Sequence, residues 1–122
     1  YKDKRVKAGF TMIRVVVDRE ASGNIVGFEV SGHAGYSEYG KDIVCAAVSA
    51  IVQTAVIGLT EILGIKIEYR QKAGKATCVI PAGLSGDQNE KINIILETML
   101  CGLKSIEEGY GDYIRVEERR LN

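Results

Sequence analysis

The sequence predicts an α+β fold: a single domain of element order ββαββαβ, with a mostly antiparallel sheet covered by two helices. Short β-branched runs come in pairs, each pair broken by a Gly-containing turn, which is the pattern of hairpins. Each pair is followed by a long apolar segment with helical spacing, and a last β-branched run ends the chain. One proline among 122 residues leaves no obvious linker between two domains.

The first strand is expected at Met12–Asp18, where M-I-R-V-V-V-D is short and β-branched. Ser22, Gly23 and Asn24 turn the chain, and Ile25–Val30 alternates as the second strand of a hairpin. Residues 32–41, G-H-A-G-Y-S-E-Y-G-K, hold three glycines and no apolar period, so a mobile surface loop is expected. A helix follows over Ile43–Leu63, with Asp42 as its N-cap and Gly64 as its stop. It is apolar on nearly every face, so it needs cover on more than one side, and an uncovered stripe would favour a homodimer. Ile65–Gln71 and Lys75–Pro81 form a second hairpin around Ala73-Gly74. A second helix, capped by Asp87 or Asn89, runs to about Glu108 with Ile92, Ile95, Leu96, Met99, Leu100, Leu103 and Ile106 in one stripe. Gly109 and Gly111 end it, and Tyr113–Glu118 is the closing strand; strand order is left open. Residues 1–11 are expected to be a disordered extension or cloning remnant, with the folded domain over 12–122.

Composition disfavours several functions. Lys plus Arg and Asp plus Glu each number 16, so no basic field exists to drive direct nucleic-acid binding by counterion release. The apolar stretch Ile43–Leu63 is broken by Ser49, Gln53, Thr54, Thr60 and Glu61 and reads as a buried helix, so no membrane partner is expected. Three cysteines without a C-x-x-C pair suggest neither a disulfide framework nor a zinc knuckle, and a reducing, cytoplasmic compartment fits. The basic stretch Tyr1–Thr11 lacks the apolar run of a signal peptide. Neither a metal cluster nor a phosphate-binding glycine motif is present, so no metal or cofactor is expected.

With Asp42 as cap, Cys45 is the third helical residue, in the first turn among unpaired N–H groups. Such a place lowers a thiol pKa from about 8.5 into the range of roughly 3.5 to 7.5. The same N–H groups can receive the oxyanion of an acyl-transfer intermediate. His33, the one histidine, stands on the loop leading into this helix and can pair with the thiolate or protonate a leaving amine. Asp42 can orient that imidazole or only cap the helix. Gly32, Gly35 and Gly40 can let the loop open over a peptide or be plain turn residues. Tyr36 and Tyr39 can pack apolar substrate side chains or cover the helix end. Against all this, a cysteine in an apolar helix is usually a small core residue, and a loop histidine is usually surface decoration. Cys78, mid-strand, and Cys101, near the end of the second helix, are expected to be inert.

The run Gly32-His33-Ala34-Gly35, then Gly40, then Asp42-Ile43-Val44-Cys45-Ala46-Ala47-Val48-Ser49 resembles the ribosomal-processing cysteine protease family Prp, with the histidine 12 positions before the cysteine. The likeness spans Met12 to about Glu118. It implies an endopeptidase that removes an N-terminal extension from a large-subunit ribosomal protein, cleaving after paired phenylalanines. It also implies Cys45 as nucleophile, His33 as base, Asp42 as third member, a homodimer, and a glycine-rich loop that moves to admit substrate. The alternatives are a non-enzymatic assembly factor that grips a ribosomal protein tail, and a thiol redox sensor, which the lack of a nearby resolving cysteine disfavours.

Overall fold

A computed structural model describes residues 12–32, 39–72 and 74–121, with only the backbone described for residues 39–42. β1 (Ile13–Arg19) and β2 (Ile25–Ser31) form the first hairpin, and α1 (Tyr39–Ile57) continues into a π-helical turn, Gly58–Ile62. β3 (Glu68–Lys72) and β4 (Lys75–Val79) form the second hairpin, followed by α2 (Gly86–Tyr110) and β5 (Ile114–Arg120). The expected order ββαββαβ is therefore observed. The sheet has the order β3-β4-β2-β1-β5, with only the β1–β5 pair parallel.

Alternation along the strands sorts the two sheet faces. Ile13, Val15 and Val17 of β1, Phe28 and Val30 of β2, Cys78 of β4 and Ile114 of β5 are buried on the helix side. The helices answer with Val44, Val48, Val52 and Leu59 from one and Ile92, Leu96, Met99, Leu100 and Leu103 from the other. Each such side chain removed from water stabilises the fold by about 1.5–3 kcal/mol. The segment Ile43–Ile62 is long and apolar enough to cross a membrane, yet one side of it is core in this fold. The opposite sheet face is open and charged, carrying the pairs Arg14–Glu117 at 2.6 Å and Arg119–Asp18 at 2.7 Å.

Helix boundaries depart from expectation. The first helix begins at Tyr39, so Asp42 is not its N-cap but lies within its first turn. Tyr39, Gly40 and Lys41 thus belong to the helix rather than to the preceding loop. Its last turn is wider than an α-turn, the Leu63 N–H donating to the Gly58 carbonyl at 3.0 Å. The second helix is capped by Ser85, not Asp87 or Asn89. Ser85 and Gln88 form a capping box, with the Gln88 N–H donating to Ser85 Oγ at 3.1 Å. β3 starts at Glu68 because Ile65, although in an alternating run, turns into the core after the Gly64 reversal at φ 66°. Two glycines let the helices close on each other. Ile95 of α2 seats against Gly58 and Ile51 of α1 against Gly102, where a Cβ would meet either isoleucine at 3.2 Å.

Candidate active site

Cys45 is the seventh residue of α1, one turn deeper than the sequence reading placed it. It lies in the second turn, and the macrodipole fades within the first. Cys45 is half-buried and packs against the core from the same helix side as Val44 and Val48.

Gly32 ends β2 with φ 90°, a left-handed conformation that glycine adopts without strain, and its N–H donates to the Gly74 carbonyl at 3.2 Å. This bond ties the point where the chain leaves the sheet for residue 33 to the β3–β4 turn. His33, Gly35 and Tyr36 lie outside the described residues, and so do the side chains of Tyr39 and Asp42. The backbone brings Gly32, Tyr39, Gly40, Asp42 and Cys45 into one stretch between β2 and the second turn of α1.

The other thiols are placed differently. Cys78 is 1 % exposed between Phe28 and Tyr69, and burial pushes its thiol up to about 12. Cys101 is exposed on α2, in the C-terminal half of that helix. None of the three is in a disulfide. Among the described residues no group of His, Cys, Asp and Glu could hold a metal.

A narrow cleft lies between α1 and the β3–β4 hairpin. Val48, Val52 and Ala76 form its floor, and Ser49, Gln53, Tyr69 and Gln71 its rim. Ser49 and Gln53 follow Cys45 at intervals of four residues, so thiol and rim share one helix face. In the sequence Ser49 and Gln53 read as breaks in an apolar run, and Ser49 also as the end of the motif that carries the family resemblance. Their four-residue spacing from Cys45 was the available signal. Nothing in the sequence pointed to Tyr69 or Gln71, since only strand pairing brings them to α1.

The profile of the cysteine protease Prp family matches residues 12–115. The chain belongs to that family. It is a cysteine protease, and the Prp fold is the one described above. The ribosomal processing cysteine protease Prp of Bacillus subtilis is 32% identical over 107 residues, covering 86% of this chain and 96% of that relative. The crystal structure of the Staphylococcus aureus Prp protease in complex with a substrate peptide is similar at a TM-score of 0.79 and 28% identity, covering 88% of this chain and all of that one. The same protease with a covalently linked product peptide gives a TM-score of 0.76 at 29% identity, again over 88% of this chain and 100% of that one.

Proposed function

We propose that this Prp-family protease is a cytoplasmic endopeptidase that removes the N-terminal extension of a large-subunit ribosomal protein during ribosome assembly. Cys45 is the nucleophile, His33 the base and Asp42 the third member. The observation that carries the assignment is the sorting of the three thiols. Cys78 is sealed in the core, Cys101 is exposed on the other helix away from the cleft, and Cys45 alone shares a helix face with a cleft bordered by a sheet edge. In this reading Sγ of Cys45 attacks the scissile carbonyl while His33 takes the thiol proton. The tetrahedral intermediate then expels the amine, protonated by His33, and water hydrolyses the thioester to free the acid and restore the thiol. The thiolate draws on the imidazole rather than on helix N–H groups, because Cys45 lies beyond the first turn.

The relatives are named for processing of the ribosome, and one is seen with substrate and another time with product peptide, which favours turnover over a non-enzymatic grip on a ribosomal protein tail. A homodimer is supported by the solvent side of the helix pair. There Ile51, Gly58, Ile94, Ile95 and Met99 line an apolar groove, and Ile57, Ile62 and Ile94 are each more than half exposed.

The test is a peptide spanning such an extension with its phenylalanine pair. The wild-type chain is expected to cleave it and Cys45→Ala to lose at least three orders of magnitude in rate, as removal of a covalent nucleophile requires. Equal cleavage by both proteins overturns the assignment of Cys45.

A further inference from the structure

Resting on the protease reading above, we propose that the substrate peptide docks as an added strand on the outer edge of β3, which no other described strand pairs, hydrogen-bonded to the backbone of Tyr69 and Gln71.

The hydrogen-bond phase of the sheet decides which groups are free. The Ile80 N–H donates to the Val26 carbonyl and the Gly32 N–H to the Gly74 carbonyl, which fixes even-numbered residues of β4 as those bonded to β2. Odd-numbered residues of β4 therefore bond to β3, and their register partners are Lys72 for Lys75, Arg70 for Thr77 and Glu68 for Val79. The N–H and C=O groups of Tyr69 and Gln71 then point away from β4. No backbone group of another described residue takes them up.

The same two residues turn their side chains to the cleft, opposite Ser49 and Gln53 of α1. A peptide beside β3 would present alternate side chains to that cleft. The edge also leads to the thiol. The chain reverses at Gly64 after the helix, so β3 runs back along α1 and its Gln71 end lies toward the Cys45 end of the helix. The Gly32–Gly74 bond brings the chain leading to residue 33 to that same end.

The sheet's other edge has one outward N–H already taken. The Leu121 N–H donates to Arg19 of β1, so even-numbered residues of β5 face outward, and the outward N–H of Val116 donates to Glu107 Oε2 at 2.9 Å. An unprotected edge is a hazard that folds usually blunt. An edge that no described strand covers, next to the helix that carries the peptidase thiol, is what strand-addition recognition requires.

The experiment is an N-methyl scan of the cleaved peptide against the wild-type chain. Methyl groups on alternate amides are expected to raise KM about 3- to 10-fold each, with little effect at the intervening positions, as loss of single hydrogen bonds dictates. Gln71→Pro removes one outward N–H without touching the β3–β4 bonds, and is expected to raise KM in the same range while kcat is kept. Cleavage that is indifferent to the scan, or sensitive with no period of two, overturns strand addition and leaves the protease reading standing. No cleavage of the unmethylated peptide sinks both.

Discussion

Burial separates the thiols by chemistry as well as by place. Cys78 stands among Phe28, Tyr69 and the helix side of the sheet, where an ionised sulfur would lose its hydration without gaining a partner. Its proton is held up to about 12, against an ordinary value of 9.0. Tyr69 is raised too, by burial first and by the neighbouring Cys78 second. The sign of the linkage follows. Between these two values the folded chain keeps a proton that the unfolded chain releases, so the contribution to stability is intact below pH 9 and is lost as pH rises toward 12. The slope is roughly 1.4 kcal/mol per pH unit. Urea unfolding at a series of alkaline pH values is expected to show it, and Cys78→Ala to remove it. A slope unchanged by that substitution would contradict the burial of the thiol. Iodoacetamide at neutral pH is likewise expected to leave Cys78 unlabelled until the chain unfolds.

At the scale of elements, the sheet depends on one close approach. A Cβ at Gly27 of β2 would lie 2.9 Å from the backbone oxygen of Cys78 on β4, and a backbone atom cannot swing aside as a side chain can. Gly27→Ala is therefore expected to destabilise by about 1–3 kcal/mol, the range for overpacking. A lower urea midpoint at unchanged slope is the measurement, and an unshifted midpoint would show that the strands separate without cost. The helix junctions use the opposite device. Gly58 and Gly102 receive isoleucine tips at 3.2 Å, so the neighbouring atom is the movable end of a side chain. The bulge between β1 and β2 is tied to α2, with the Ile25 N–H donating to Asn93 Oδ1 at 2.8 Å. The hairpin that hands the chain toward residue 33 is thus fixed to the second helix, independently of the first.

Across the whole molecule, Arg19 joins three elements. Its guanidinium donates to Glu97 of α2 at 2.6 and 3.0 Å and to Glu118 of β5 at 2.8 Å, and Lys104 meets Glu118 at 2.6 Å. The Arg19 guanidinium holds the Glu97 carboxyl below its usual range, while Lys104 first and Arg19 second do the same for Glu118. The helix pair faces outward with little such polar pairing. If a second copy covers it, charge placed in the groove should separate the copies without unfolding either, since Ile94 is 63 % exposed in the single chain. Ile94→Glu is expected to turn a dimer into a monomer in sedimentation velocity, with the far-UV circular dichroism of a folded chain retained. A wild-type chain that sediments as a monomer at tens of micromolar would rule out that use of the groove.

The fold class was legible from residues alone because strand alternation, turn glycines and the apolar stripe of α2 are local signals that all agree. The family was also legible, through the spacing of Gly32-His33 and the run from Asp42 to Ser49, and the family profile matches residues 12–115 of the chain. Helix starts were not. Asp42 has the chemistry of a cap, yet the helix begins three residues earlier, and Ser85 outcompetes Asp87 because its capping box with Gln88 satisfies two groups at once. Strand order, the cleft rim of Tyr69 and Gln71, and the bond from the Val116 N–H to Glu107 on one sheet edge came only with the tertiary structure. Each depends on residues far apart in the chain meeting across hydrogen bonds whose phase no local pattern encodes.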